Sequence, residues 1–397
     1  MLMQHIADYA IKEQTSKLPP DVIHHAKRAV IDWYAALLPG SIVAPATLLE
    51  LAFAEDLDRG RARLARGRRA TMRTAALING AASHSVEFDD IYRDAGYHPG
   101  SPTISAALAA AQGSGATGER FLRAVIVGYE TSTRIGEAVM PSHYRFWHTT
   151  GTVGAFGAAA SAATAMNLNH EQFMHAVATA GTFAAGLKQA FLSQAMSKPL
   201  HGGHAADAGI LAALAASKGV TGALDILEGK EGFGNAMSIN PDWSKVTQGL
   251  GVDYHINHIT FKAHGCCGHT FPSIDGVLHL VQQHQLHPQD IQKISLATYQ
   301  AGLDIIDNAT PEGEYQAKFS LQYTVVSPCS VLAVEKRKLN QISTVPGTTL
   351  VAPVPPFMLE ICHEVGGKYS LPLSQVVAAS SAMAGATMWM GFFTKCG

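Results

Sequence analysis

The sequence predicts a mainly α protein, a large all-helical domain followed by a smaller α+β domain. Three observations carry that reading. Apolar residues recur at steps of three and four from residue 1 to about 250. Alanine, glycine and serine fill many of the packing faces, which lets helices approach one another closely. Near residue 251 the texture changes to short extended runs around single helices, the pattern of a second, mixed domain. The expected boundaries are 1–250 for the helical domain, 251–345 for the α+β domain and 346–397 for a C-terminal segment of unassigned placement.

The helices follow in order. Over Asp21 to Leu38 the apolar residues Ile23, Ala26, Val30, Tyr34 and Leu37 make one face, Asp21 is the expected cap, and Pro39-Gly40 ends the run. The same spacing predicts helices near 45–56, 71–88, 102–112, 118–139, 151–166, 170–190 and 202–218, with a short one near 222–229. YHINHITFKA reads as extended, 272–286 as a helix through Ile274, Val277, Leu278 and Val281, and QKISLATYQ as a strand. The apolar runs 151–166 and 376–393 approach membrane length but are diluted by Ala, Gly, Ser and Thr, so both are expected as buried core helices and no membrane partner is expected.

Composition narrows the function. Lys plus Arg is 29 and Asp plus Glu is 31, a balance of 29 − 31 = −2, which leaves no basic field for a nucleic acid. Charged residues are only 15% of the chain, below the roughly 25% usual in soluble domains, so some surface is expected to be covered by a second copy. Five cysteines, Cys266, Cys267, Cys329, Cys362 and Cys396, fall late and odd in number, which is no disulfide framework. With no secretory h-region at the start, a reducing cytoplasmic setting is expected.

Gly113 to Gly118 matches GxGxxG, but an Ala-rich helix precedes it where a nucleotide fingerprint needs a strand. It reads instead as a helix-to-helix turn with Thr117 as the next N-cap. The 19 histidines are the more unusual feature, several of them beside Gly or Pro. The clusters are Glu87-Phe-Asp-Asp90 with His98, then Trp147-His148, then Lys198-Pro-Leu-His201-Gly-Gly-His204, and His264-Gly-Cys-Cys-Gly-His269. A single such histidine is more often structural; four groups in one chain favour a site. His201 with His204, or His264, Cys266, Cys267 and His269, supply metal-ligand atom types, yet no paired CxxC spacing accompanies them, so no metal is expected. No GxSxG elbow points to a serine hydrolase. Lys198, followed by proline and what reads as a Gly-rich turn, is the cation singled out to bind a carboxylate or to move protons; a surface lysine at a helix start is the plain alternative.

At these clusters the sequence resembles the MmgE/PrpD family. The stretches that carry the resemblance are AALINGAASHSVEFDDIYRDAGYHPGSPTISAALAAAQ (75–112), FWHTTGTVGAFGAAA (146–160), SKPLHGGHAADAGILAALAASKG (197–219), FKAHGCCGHTFPSIDGV (261–277) and KFSLQYTV (318–325). That family includes 2-methylcitrate dehydratases, cis-aconitate decarboxylases and iminodisuccinate epimerases. The resemblance implies a helical domain with a smaller α+β lid, a homodimer, no cofactor, and a small polycarboxylate substrate. It further implies that His98, His148, Lys198 and His269 line a cleft as the catalytic groups, with Glu87 and Tyr323 close by; Asp90 and His201, in the same motifs, are the other expected substrate contacts.

All three family reactions develop charge alpha to a carboxylate, which imidazoles can manage near neutral pH. The expected function is a cofactor-independent lyase of the 2-methylcitrate dehydratase type, with epimerase and decarboxylase as alternatives. In the decarboxylases an Asp tends to stand where Glu87 is and a Thr where Ile91 is, which weighs against decarboxylation. The resemblance runs through about 325 and stops after Val325, so an inactive or merely carboxylate-binding member is the second alternative.

Overall fold

The computed structural model describes residues 1–334 apart from 194 and 292, and five short strands within 348–395. The chain is mainly helical, and it divides into two compact units, 1–262 and 263–397.

The first unit holds twelve α-helices among its described residues: α1 (Leu2–Glu13), α2 (Pro20–Gly40), α3 (Ala46–Ala52), α4 (Met72–Ser85), α5 (Gly100–Ser114), α6 (Gly118–Val139), α7 (Thr149–Ala165), α8 (His170–Thr182), α9 (Gln189–Leu192), α10 (Ser197–Ala216), α11 (Phe233–Met237) and α12 (Ser244–Thr247). Its centre is α7, every residue of which is buried, with α5, α6, α8 and α10 packed around it. Small side chains make this possible, because a helix hydrophobic all round must be enclosed on every side. Helix α10 also lies against α4 so tightly that a Cβ on Gly80 would stand 2.8 Å from the Cα of Gly203. The Gly-Gly pair after His201 is therefore a packing surface inside a helix and not the expected turn.

Several other expectations are corrected. The first unit is not wholly helical, since β1 (Leu57–Arg63) and β2 (Arg69–Ala70) form an antiparallel hairpin. Its arginines project to solvent while Leu57, Ala62 and Leu64 are buried, and the density of charge hid the strand pattern. Asp21 lies inside the first turn of α2, whose N-cap is Pro19, and accepts instead from the side chain of Asn257 at 2.9 Å. No helix forms at 222–229, where turns are closed by bonds such as Gly229 N–H to the Asp225 carbonyl at 2.7 Å. YHINHITFKA is a 3₁₀ turn at His255–His258 with one bridge between Thr260 and Ile91, because Glu130 accepts from the Ile256 N–H at 3.2 Å and holds the segment against α6. Thr117 does cap α6, accepting from Arg120 N–H, and Gly115 ends α5 in the left-handed region, so the GxGxxG run is the helix-to-helix turn.

The second unit contains α13 (Phe271–Gln283), β3 (Lys293–Ala297), α14 (Gln300–Ile306), α15 (Glu314–Lys318) and α16 (Leu321–Val334), then β4 (Thr348–Val351), β5 (Met358–His363), β6 (Tyr369–Ser370), β7 (Ala378–Ala379) and β8 (Met388–Lys395). Strand β3 lies between β5 and β8, all antiparallel, with β4 beside β5 and both β6 and β7 beside β8. Its core gathers Ile274, Val277, Leu280, Ile294, Leu296, Ile306, Leu321 and Val325. The apolar run 376–393, expected as a core helix, contributes strand residues where it is described; the rest of it, like most of 346–397, lies outside the described residues. Among the described residues no helix is long and apolar enough to cross a membrane.

Candidate active site

The ends of four elements of the first unit converge on one polar centre. Helix α4 stops at Ser85, and the residue after its C-cap, Glu87, takes φ +57°, the left-handed conformation usually given to glycine there. A side chain in that region costs roughly 1–2 kcal/mol, so this carboxylate is held where it is against a backbone preference. The Lys198 ammonium in the first turn of α10 donates to Glu87 Oε1, and both residues are buried. A cation near a helix N-terminus runs against the dipole, and its carboxylate partner offsets that. Lys262 donates to the Glu87 backbone carbonyl at 2.9 Å and stands 3.7 Å from Oε2. Burial alone would raise the Glu87 carboxyl, but Lys198 and Lys262 outweigh it and hold the group down at about 2.

Four imidazoles adjoin this ion pair. His84, wholly buried on α4, bonds through Nδ1 to Asp89 Oδ2 at 2.6 Å. Its ring stacks on that of His148, centroids 5.3 Å apart and planes 22° apart, and lies 5.1 Å from the His98 ring. His98 Nδ1 lies 2.8 Å from the Asp90 backbone carbonyl. A carbonyl only accepts, so Nδ1 carries the hydrogen. Burial pushes the His98 imidazole well below its ordinary range, against the pull of Asp89, so the neutral ring presents an Nε2 lone pair. His148 is the N-cap residue of α7, and its Nδ1 meets the Nδ1 of His201 at 3.0 Å. Burial, followed by repulsion from His84 and Lys198, lowers both of these imidazoles, His201 to about 4.

Asp90 lies beside this centre in sequence but faces another way. Its two oxygens accept from Gly100 N–H at 2.9 Å and from the Tyr129 hydroxyl at 2.7 Å, which ties the loop to the start of α5 and to α6. His204, one turn beyond His201, reaches the Phe183 carbonyl at 3.2 Å. His269 and Tyr323 belong to the second unit. His269 bonds through Nδ1 to the Tyr299 hydroxyl, and the half-exposed Tyr323 lines, with His264, Cys266 and Lys318, an open concavity of about 740 Å³.

The structure adds three residues that sequence reasoning missed: His84, Asp89 and Lys262. His84 and Asp89 lie within the stretch His84-Ser-Val-Glu87-Phe-Asp89-Asp90, where a histidine five residues before a carboxylate was the available signal. Lys262 carried none, being one lysine in an apolar run. His84, Asp89 and His98 also bring atoms of metal-ligand type within 4.8 Å of one another. Part of this set is engaged otherwise: Asp89 Oδ2 with His84 Nδ1, the His98 Nδ1 hydrogen with a carbonyl, and Asp89 Oδ1 with the Lys262 ammonium 3.9 Å away, while His84 Nε2 is buried with no hydrogen-bond partner among the described residues. The Lys262 ammonium beside Asp89 and the hydrogens on both Nδ1 atoms make that face of the cluster an ion-pair network and not the lining of a divalent cation.

Fold and centre together define a helical protein with a buried carboxylate–ammonium pair walled by imidazoles. The chain belongs to the MmgE/PrpD family: the family's N-terminal domain matches residues 4–246 and its C-terminal domain matches 264–329. Among curated relatives it is 28% identical over 318 residues to a cis-aconitate decarboxylase-like protein of Aspergillus oryzae, across 74% of this chain and 65% of that one. It is 28% identical over 290 residues to a cis-aconitate decarboxylase of Aspergillus terreus (69% and 59%), and 29% identical over 273 residues to the cis-aconitate decarboxylase of Homo sapiens (65% and 54%). The matched region thus spans between about half and two thirds of the length of these relatives.

Proposed function

We propose that this protein is a cofactor-independent lyase that acts on a small di- or tricarboxylate by removing a proton alpha to a carboxylate, in the manner of a 2-methylcitrate dehydratase. The observation that carries the reading is the buried Lys198–Glu87 pair beside neutral His98 and His148. Lys198 and Lys262 against Glu87 and Asp89 make a matched set of two cations and two anions in a buried place, where fixed charges act more strongly than in water. His98 Nε2, its lone pair fixed by the carbonyl bond on the other nitrogen, is the proposed base. The proton it takes leaves an electron pair that expels the neighbouring hydroxyl, and the hydroxyl departs as water with a proton from His148. Lys198 stabilises the charge that develops on the carboxylate. The proposal assigns no step to His269 or Tyr323.

Decarboxylation is the second reading, favoured by the names of the relatives. Glu87 and Ile91 are set against it, since the family resemblance implies Asp and Thr there in decarboxylases. Product analysis by proton NMR decides between them, with 2-methylcitrate, cis-aconitate and iminodisuccinate as separate substrates. Water loss from the first supports the dehydratase reading. Loss of carbon dioxide from the second alone replaces it with decarboxylation, and inversion of the third alone replaces it with epimerisation.

A further inference from the structure

The contact between His148 and His201 has a property that neither ring has by itself. A bond between two imidazole Nδ1 atoms at 3.0 Å needs one hydrogen and one lone pair. A neutral imidazole carries one hydrogen, so two neutral rings joined in this way are complementary tautomers. When His148 accepts at Nδ1 its Nε2 holds a hydrogen and His201 Nε2 holds a lone pair; when the shared hydrogen crosses, both ends reverse.

The surroundings hold the contact in place. The His148 N–H donates to the Gly186 carbonyl at 2.9 Å, and the Phe191 ring meets the imidazole edge-on at 4.7 Å. His201 follows Lys198 by three residues on α10, one turn along the same face. Space for it is left by Gly151 and Gly186: a Cβ on the first would lie 3.0 Å from His201 Cβ, and on the second 3.3 Å from His201 Cγ. His148 is buried whereas His201 is partly exposed, so the pair runs from the interior outward.

We propose that His148 and His201 form a two-ring proton relay in which His201 resupplies, through the Nδ1–Nδ1 bond, the proton that His148 exchanges with the substrate. The relay rests on the acid–base reading above. Its atoms balance. His148 gives the Nε2 hydrogen to the departing hydroxyl, the His201 Nδ1 hydrogen moves to His148 Nδ1, and His201 Nε2 takes one proton from solvent. One proton enters, both rings stay neutral, and their tautomers are exchanged. A proton taken up later at His148 Nε2 runs the sequence backwards and resets it. His201 acts through His148 and is a positioning residue in this scheme, in place of the substrate contact expected from sequence.

The first test is independent of turnover: nitrogen NMR of the full chain labelled with ¹⁵N-histidine at neutral pH. The relay predicts one ring protonated at Nδ1, its partner at Nε2, and a nitrogen–nitrogen coupling across the bond that disappears in His201→Asn. Two uncoupled imidazoles would overturn the relay whatever the enzyme does. The second test is kinetic. Asparagine can still hydrogen-bond to His148 but cannot pass a proton on, so His201→Asn should lower kcat about tenfold or more with little change in KM, partly restored by added imidazole. A correctly melting His201→Asn protein with unchanged kcat overturns the relay alone. A coupled pair in a chain that converts no polycarboxylate sinks the proposed function and leaves the paired rings standing.

Discussion

Replacing Lys198 with methionine keeps most of the side-chain volume and removes the charge that Glu87 leans on. Glu87 moves from an ordinary 4.5 to about 2, which corresponds to roughly 3 kcal/mol of differential interaction. Lys262 remains in the variant, 3.7 Å from Oε2, so part of that interaction survives. The expected loss of stability is about 2–3 kcal/mol, at or below the lower edge of the range for breaking a buried pair. A depressed carboxylate stabilises the fold above its unfolded pKa, and that contribution fades as pH falls through the folded one. In the wild type it is therefore lost between pH 4.5 and about 2, and in Lys198→Met most of this acid slope disappears. Urea titrations followed by circular dichroism at neutral and acid pH measure both effects. Turnover should fall by about two or more orders of magnitude, as for a lost positioned charge. The double variant Lys198→Met/Glu87→Gln should recover stability, because neither charge is stranded, and stay inactive. A single variant as stable as the wild type, or a double variant that turns over, would refute the reasoning.

Two further expectations concern pH and metal. The base is competent when unprotonated, and burial lowers His98, His148 and His201 together, so the acid limb of kcat/KM should lie well below the ordinary histidine value of 6.5. A pH profile whose limb is centred near 6.5 would contradict the burial of the base. Dialysis against a chelator should leave turnover intact, since Asp89 Oδ2 and the Nδ1 atoms of His84 and His98 are committed to hydrogen bonds and the Lys262 ammonium stands beside Asp89 Oδ1. Activity lost to the chelator and restored by a divalent cation would show that those atoms bind metal.

Much of the helical unit was legible because it obeys one period. The runs that became α2 and α6 repeat at three and four, and in α5, α7 and α10, which are apolar nearly all round, the glycines and alanines that permit close approach stand in the sequence itself. What was hidden depends on partners distant in sequence. The hairpin of β1 and β2 was masked by its arginines, and the 254–263 segment was taken from the extended state by Glu130 on α6. At the site, His98, His148, Lys198 and His201 stood out in clusters that hold glycine or proline and Glu87 in an acidic motif, and the family resemblance gave these residues their expected roles. Lys262 could not be found that way, since it lies 175 residues from the carbonyl to which it donates and nothing beside it marks the contact. His84 looked like one more polar residue on a helix until the fold buried it against Asp89 and His148.

The central claim is that His98, His148 and Lys198 assemble a metal-free centre that moves a proton alpha to a carboxylate. The most direct measurement is proton NMR of chelator-treated protein in D2O with 2-methylcitrate, cis-aconitate and iminodisuccinate, followed for deuterium at the alpha carbon. The account predicts deuterium entering that position with at least one of the three, and none with Lys198→Met. Well-folded wild-type protein that leaves all three substrates unlabelled and unchanged would contradict it.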